Sequence, residues 1–178
     1  MRKLKNEELD RLTPDDFKTA EKNPIVVVLD NVRSMNNVGS AFRTSDAFLI
    51  EQICLCGITA RPPHRDINKT ALGATDTVAW TYFETTTEAV KQLQSEGWQV
   101  VAIEQAEDST MLQDFAPETD GKYAFVFGNE VFGVEQQVVD VADTVVEIPQ
   151  FGSKHSLNIS VSMGIVLWDY LQKVKLGR

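Results

Sequence analysis

Three clusters in this chain carry side chains of the kind that bind and react. The last in order, Ser153–Ser162, reads Ser-Lys-His-Ser-Leu-Asn-Ile-Ser-Val-Ser. It follows an extended Val-Val-Glu-Ile-Pro-Gln-Phe-Gly run and precedes an apolar C-terminal segment. Ser156 and Asn158 therefore stand where a strand and loop deliver the chain to a helix. Hydroxyl, amide and unpaired backbone N–H groups concentrate at such a point, as a polar ligand requires. Ser and Asn are also the residues that simply cap helices, so this cluster becomes a site only in company.

The company lies upstream. Phe127–Gly133 reads Phe-Gly-Asn-Glu-Val-Phe-Gly and follows an apolar run. Its Glu130 can accept from a ligand hydroxyl or amine, or cap the next helix. No Lys-Ser/Thr pair follows Gly133 and there is no Gly-x-Gly-x-x-Gly, so neither a triphosphate cradle nor a dinucleotide fingerprint is present. Asp30–Arg43 (Asp-Asn-Val-Arg-Ser-Met-Asn-Asn-Val-Gly-Ser-Ala-Phe-Arg) follows the Ile25–Leu29 run. Asn36 or Asn37 can cap a helix there, and Gly39 permits close backbone approach. Arg43 lies on a face neighbouring that of Asn37. Ala41, Phe42, Ala47 and Phe48 make the segment mostly apolar, so a guanidinium on it calls for an anion. His155 beside Ser156 is too near in sequence to form a nucleophile–base pair, and no paired carboxylates suited to glycoside chemistry stand out.

The elements that must position these clusters are legible. Thr13-Pro14-Asp15-Asp16 starts a helix that Lys22-Asn23-Pro24 ends. Ile25–Leu29 reads as a strand covered on both faces, Asn36–Phe48 as a helix, and Gln52–Cys56 as a strand ending at Gly57. A short helix is predicted over Asp66–Leu72 and a strand over Thr77–Phe83. Thr85 and Glu88 fit a capping box opening a helix that runs to Glu96 and stops at Gly97. Strands are predicted at Gln99–Ile103, Tyr123–Phe127 and Thr144–Ile148, with helices over Glu135–Val141 and Asn158–Lys175. The alternation predicts an α/β fold with a mainly parallel sheet and helices on both faces. Ligands of such sheets bind beyond the carboxyl ends of strands, and all three clusters follow strands.

The 178 residues suit one domain spanning 1–178, with residues 1–22 as an N-terminal helical extension. No apolar run approaches the roughly 20 residues that span a bilayer, and the N-terminus lacks the apolar core of a signal peptide, so a cytoplasmic location without a membrane partner is expected. Cys54 and Cys56 alternate with Leu55 and read as two buried thiols. Together with only two histidines they offer too few ligands for zinc. The net charge is −9, and residues 83–147 hold 14 acids against 2 bases. Such a chain is no general polyanion binder, yet Arg33, Arg43, Arg61, His64, Arg65, Lys69 and Lys154 leave room for a local basic surface.

In this order and spacing, the clusters resemble the motifs of the SpoU-type (TrmH-like) RNA methyltransferases of the SPOUT superfamily. The first motif resembles Asn37–Thr44, the second Phe127–Gly133, and the third Ile148-Pro149-Gln150 followed by Ser156–Val161. The resemblance covers residues 20–175. It implies a C-terminal trefoil knot, a homodimer, and transfer of a methyl group from S-adenosylmethionine to a ribose 2′-hydroxyl of an RNA, a tRNA ahead of an rRNA, without a metal. It further implies that Ile103, Gly128, Ile148, Ser156, Leu157 and Asn158 hold the cofactor. Arg43, Asn37, Glu130, Ser156 and Asn158 become the catalytic set. Arg43 is best read as binding phosphate and stabilising developing charge, since arginine is normally always protonated. Two other readings are a non-catalytic RNA-binding or assembly module of the same fold and a small-molecule α/β enzyme, which the acidic pI would suit.

Overall fold

The computed structural model describes residues Met1–Gly177. Seven strands form one sheet: β1 (Asn23–Asp30), β2 (Ile50–Cys56), β3 (Ala79–Phe83), β4 (Gln99–Ile103), β5 (Thr110–Met111), β6 (Tyr123–Phe127) and β7 (Thr144–Glu147). The order across the sheet is β3-β2-β1-β6-β4-β7-β5 and every pairing is parallel. The expected mainly parallel sheet is thus parallel throughout. The chain builds outward from β1 through β2 to β3, then crosses to the other side of β1 for the remaining strands. Such a reversal opens a crevice at the strands' carboxyl ends.

Strand periodicity sorts the core onto two faces. Val27, Leu29, Ile53, Leu55, Phe125 and Phe127 join a cluster with Phe42 of α2 (Met35–Ala47), Ile67 of α3 (Arg65–Ala71) and Val166 of α6 (Ile159–Leu171). Val26, Val28, Cys54, Cys56, Ala102 and Val126 face α4 (Thr86–Ser95) and α5 (Gln136–Val139) through Ala89, Leu93 and Val138. Helices on both faces are therefore observed, and so are the two buried, unbridged thiols. Burial pushes the Cys54 thiol up to about 12 and raises Cys56 as well.

Several boundaries follow local chemistry as expected. Thr13 caps α1 (Pro14–Thr19) by accepting from the Asp16 N–H, and the Thr85–Glu88 capping box is formed in both directions. Upstream of α1 a single 3₁₀ turn occupies Asn6–Glu8, and Phe17 of α1 is part of the core. Gly39 lies where α2 meets α3; a Cβ there would strike the Ile67 carbonyl and the Thr70 hydroxyl.

Other expectations are corrected. The cap of α2 is Ser34, which accepts from the Asn37 N–H at 3.3 Å, and neither Asn36 nor Asn37 serves. The helix expected over Glu135–Val141 shrinks to Gln136–Val139, because the Glu135 N–H is held by the buried Asp30 carboxylate at 2.8 Å and the chain must turn into β7. The helix expected to reach Lys175 changes to a π-helical turn over Gln172–Leu176. The two-residue β5, paired with β7 at Thr110–Val146 and Met111–Glu147, is too short to show a pattern in the sequence. Among the described residues no helix is long and apolar enough to cross a membrane.

Candidate functional site

A cavity of about 530 Å³ opens beyond the carboxyl ends of β4, β6 and β7. Ile103, Glu104 and Gln105 line it from β4, Phe127–Gly133 from β6, and Glu147 and Ile148 from β7. Residues 155–159 and Ser162 close the remaining side. Every residue assigned to the cofactor from the sequence is in this lining: Ile103, Gly128, Ile148, Ser156, Leu157 and Asn158.

The wall after β6 is a tight loop. Asn129 and Gly133 exchange backbone hydrogen bonds, each 2.9 Å, and Gly133 takes a φ of +71°. A Cβ on Gly128 would strike the Gly133 and Val134 backbone, so only glycine lets the strands of this loop touch. Asn129 holds the turn with its own side chain, accepting from the Val131 and Phe132 N–H groups at 2.8 and 3.2 Å.

Asn37 joins the three sequence motifs. Its Nδ2 donates to Glu130 Oε1 at 3.0 Å, and its Oδ1 accepts from Asn158 Nδ2 and Ser160 Oγ, each at 3.2 Å. Asn158 in turn caps α6, accepting from the Ser160 N–H at 2.9 Å. Glu130 also accepts from the Arg33 and Ser34 N–H groups, each at 2.9 Å. Partial burial pushes the Glu130 carboxyl up. The donors of Arg33, Ser34 and Asn37 outweigh it and hold the group below its ordinary value. Glu130 is therefore an anionic brace at the start of α2, and the Asn37 amide is drawn away from capping into tertiary contacts.

Arg43 behaves differently. It is exposed on α2, forms no ion pair among the described residues and is not in the cavity lining. The apolar neighbours called for a helix either buried or at an interface; within this chain Ala41 and Phe42 are buried, whereas Ala47 is exposed and Phe48 half-buried, so Arg43 is not buried by its own chain. The chain brings Glu130, Ser156 and Asn158 together in the cavity lining, with Asn37 bonded to two of them, and leaves Arg43 outside it.

Sequence reading missed Glu104 and Gln105. Glu104 Oε2 accepts from the Val134 N–H at 2.9 Å, and Gln105 Nε2 donates to the His155 carbonyl at 3.1 Å. The pair thus ties the β4 end to both other walls. Its position directly after an apolar strand was the available signal. Among the described residues, the lining contains three carboxylates (Glu104, Glu130 and Glu147) and no lysine or arginine. A phosphate would meet like charge here, whereas a cationic ligand is favoured.

The profile of the SpoU rRNA Methylase family matches residues 24–168. The chain belongs to that family. A 23S rRNA (guanosine-2′-O-)-methyltransferase of Neisseria meningitidis serogroup B is 26% identical to this family member over 153 residues, covering 86% of this chain and 60% of the relative. The chain thus spans about three-fifths of that relative's length. The crystal structure of a TrmH/SpoU tRNA modifying enzyme from A. aeolicus superposes with a TM-score of 0.79 at 23% identity, covering 90% of this chain and 80% of the other. An AdoMet-bound rRNA methyltransferase from Sinorhizobium meliloti gives 0.78 at 25% identity, covering 88% and 59%. The SpoU fold predicted from the three motifs is therefore observed.

Proposed function

We infer that this SpoU-family chain is an S-adenosylmethionine-dependent RNA methyltransferase acting on a ribose 2′-hydroxyl of a tRNA or rRNA. The observation that carries this is the cavity: three motif loops joined at Asn37, lined by three carboxylates and, among the described residues, by no lysine or arginine. Those residues fit a cofactor that is cationic at its reacting end and has no phosphate. When bound, S-adenosylmethionine supplies an electrophilic methyl group on a positively charged sulfur. In this reading backbone groups near Ile103, Gly128, Ile148 and Leu157 hold the adenine. Ser156 and Asn158 orient the reacting end and the attacking hydroxyl, while Asn37 and Glu130 keep those loops in register. Relatives named for rRNA and for tRNA modification both match, so the substrate is drawn from these two classes of RNA.

The outer face of α6 exposes Val161, Ile165 and Trp168, spaced as one helical stripe, with Phe132 and Phe151 also exposed. We assign this surface to a homodimer. Because Arg43 is not in the lining of its own protomer's cavity, the proposal gives it to the cavity of the second copy, where it binds a substrate phosphate and stabilises developing negative charge. The C-terminal trefoil knot of the resemblance belongs to the same proposal. It is supported by the way residues 155–158 lie against the loops after β4 and β6. Calorimetry with S-adenosylmethionine, followed by mass spectrometry of nucleosides from RNA incubated with protein and cofactor, tests the function. A 2′-O-methylnucleoside is expected; no heat of binding at millimolar cofactor in a folded sample would overturn the assignment.

A further inference from the structure

Arg61 stacks on Tyr82, its guanidinium carbon 4.1 Å from the ring centroid. Arg61 is exposed and Tyr82 is half-buried, so one face of the pair is held by the protein and the other meets solvent. Neither residue lines the cavity. Its place in the sheet is informative. Tyr82 pairs with Leu55, Leu55 with Leu29, Leu29 with Phe127, and Phe127 with Ile103. Tyr82 therefore belongs to the same row of the sheet as two residues of the cavity wall. Three strand spacings separate it from Phe127, roughly 14 Å.

The loop that carries Arg61 is tied to the cavity rim. Asn129, in the cavity lining, donates through Nδ2 to the Asn31 carbonyl at 2.7 Å, and Asn31 Oδ1 accepts from the Ile58 N–H at 3.1 Å. Thr59 Oγ1 accepts from the Val32 N–H at 2.9 Å, and the Tyr82 hydroxyl donates to the Gly57 carbonyl at 3.2 Å. These bonds tie the segment leading into Arg61 to the cavity rim, and Arg33, two residues after Asn31, is exposed there with its backbone N–H donating to Glu130 Oε2 at 2.9 Å. Among the described residues Arg33, Arg61 and Arg65 form no ion pair. Residues 83–147, by contrast, are strongly acidic. A polyanion reaching this cavity is steered to the Arg33–Arg65 side.

We propose that the Arg61–Tyr82 stack is a platform for an unpaired nucleotide of the RNA substrate, a few nucleotides from the target ribose, with Arg33 neutralising phosphate between them. The proposal rests on the RNA methyltransferase reading and specifies where that site grips its substrate. A guanidinium seated over a ring, on an exposed residue, offers a planar outer surface on which any base can stack, with less ordering left to lose than a free arginine has. A base inside a duplex cannot occupy it, so the platform selects single-stranded RNA.

The test is fluorescence anisotropy with a labelled 12-nucleotide single-stranded RNA of mixed sequence and its duplex, using wild type, Arg61→Ala and Arg61→Lys, with S-adenosylmethionine calorimetry as the check on an intact cavity. Removal of one stacked base partner weakens single-strand binding by about 5- to 150-fold. That loss is expected for Arg61→Ala, largely retained in Arg61→Lys, which keeps the charge but not the plane, and much smaller on the duplex. Wild-type affinity in Arg61→Ala would overturn the platform, as would full rescue by Arg61→Lys, which would leave only a charge. If wild type neither binds RNA nor methylates any, the methyltransferase reading itself fails, and the platform with it. If wild type methylates RNA while Arg61→Ala matches it in binding, the platform alone fails.

Discussion

Replacing Asn37 with aspartate tests the junction that holds the three motifs together. Aspartate keeps the shape and the oxygen that accepts from Asn158 and Ser160, but it sets a carboxylate where Glu130 had a donor at 3.0 Å. Two unit charges about 3 Å apart repel by about 1.4 kcal/mol in water and about 5.5 kcal/mol at an effective dielectric of 20. Glu130 is exposed, so solvent screening pulls the repulsion toward the lower figure. With the lost hydrogen bond added, the expected cost is about 2–3 kcal/mol at pH 7. For a chain of this size that lowers Tm by about 4–12 °C.

The pH dependence gives the sign. In wild type the Glu130 carboxyl is held below its ordinary value, so its contribution is present above that value and is lost as pH falls through the lowered one. In Asn37→Asp the paired carboxylates resist double ionisation and one takes up a proton at higher pH. The deficit relative to wild type should therefore be largest at pH 7 and shrink toward pH 4. Asn37→Ala, which adds no charge and removes only one of the donors that hold Glu130 down, should show a much smaller shrinkage. The assay is thermal unfolding of the three proteins at one fixed concentration between pH 4 and 7. An Asn37→Asp variant as stable as wild type at pH 7, or with a deficit independent of pH, would refute the junction.

Gly128→Ala forces a Cβ into the Gly133 backbone and should weaken S-adenosylmethionine binding at least about tenfold, read by calorimetry on protein that still unfolds cooperatively. Arg43→Ala should lower single-turnover methyl transfer about a hundred- to a thousandfold with cofactor affinity nearly unchanged, and Arg43→Lys should rescue little. Co-expressed with Asn158→Ala, itself inactive, Arg43→Ala should recover about a quarter of wild-type activity if Arg43 serves the second copy of a symmetric dimer, and none if it serves its own. Cys54 and Cys56, buried and with thiols pushed up by that burial, should not react with a thiol reagent at pH 8 in the native protein, whereas both should react after denaturation.

Much of the architecture was legible because its causes are local. The Thr85–Glu88 box and the Thr13 cap depend on residues three apart. The apolar runs Gln99–Ile103 and Tyr123–Phe127 are strands at the predicted bounds because a strand buried on both faces admits little else. Boundaries failed where a distant group intervened. Asp30 takes the Glu135 N–H across 105 residues and shortens α5, and Asn37 is recruited by Glu130 and Asn158 instead of capping α2. Glu104 was given no role because its partner, the Val134 N–H, is 30 residues away.

By itself, the order of residues determined the strand–helix alternation, the two-faced core and the three motifs that name the family. Each is written in spacings of two to seven residues that the backbone reads directly. Only the tertiary structure decided that these motifs meet at one side chain, Asn37, that the cavity beside them is lined by carboxylates, and that Arg43 stays outside it while Arg61 lies on Tyr82 along the same sheet row. The physical reason is that charge and hydrogen-bond partnership act through space. The reversal of strand order at β1 brings β6, β4 and β7 edge to edge, although their carboxyl ends are separated by about 20 or more residues of chain.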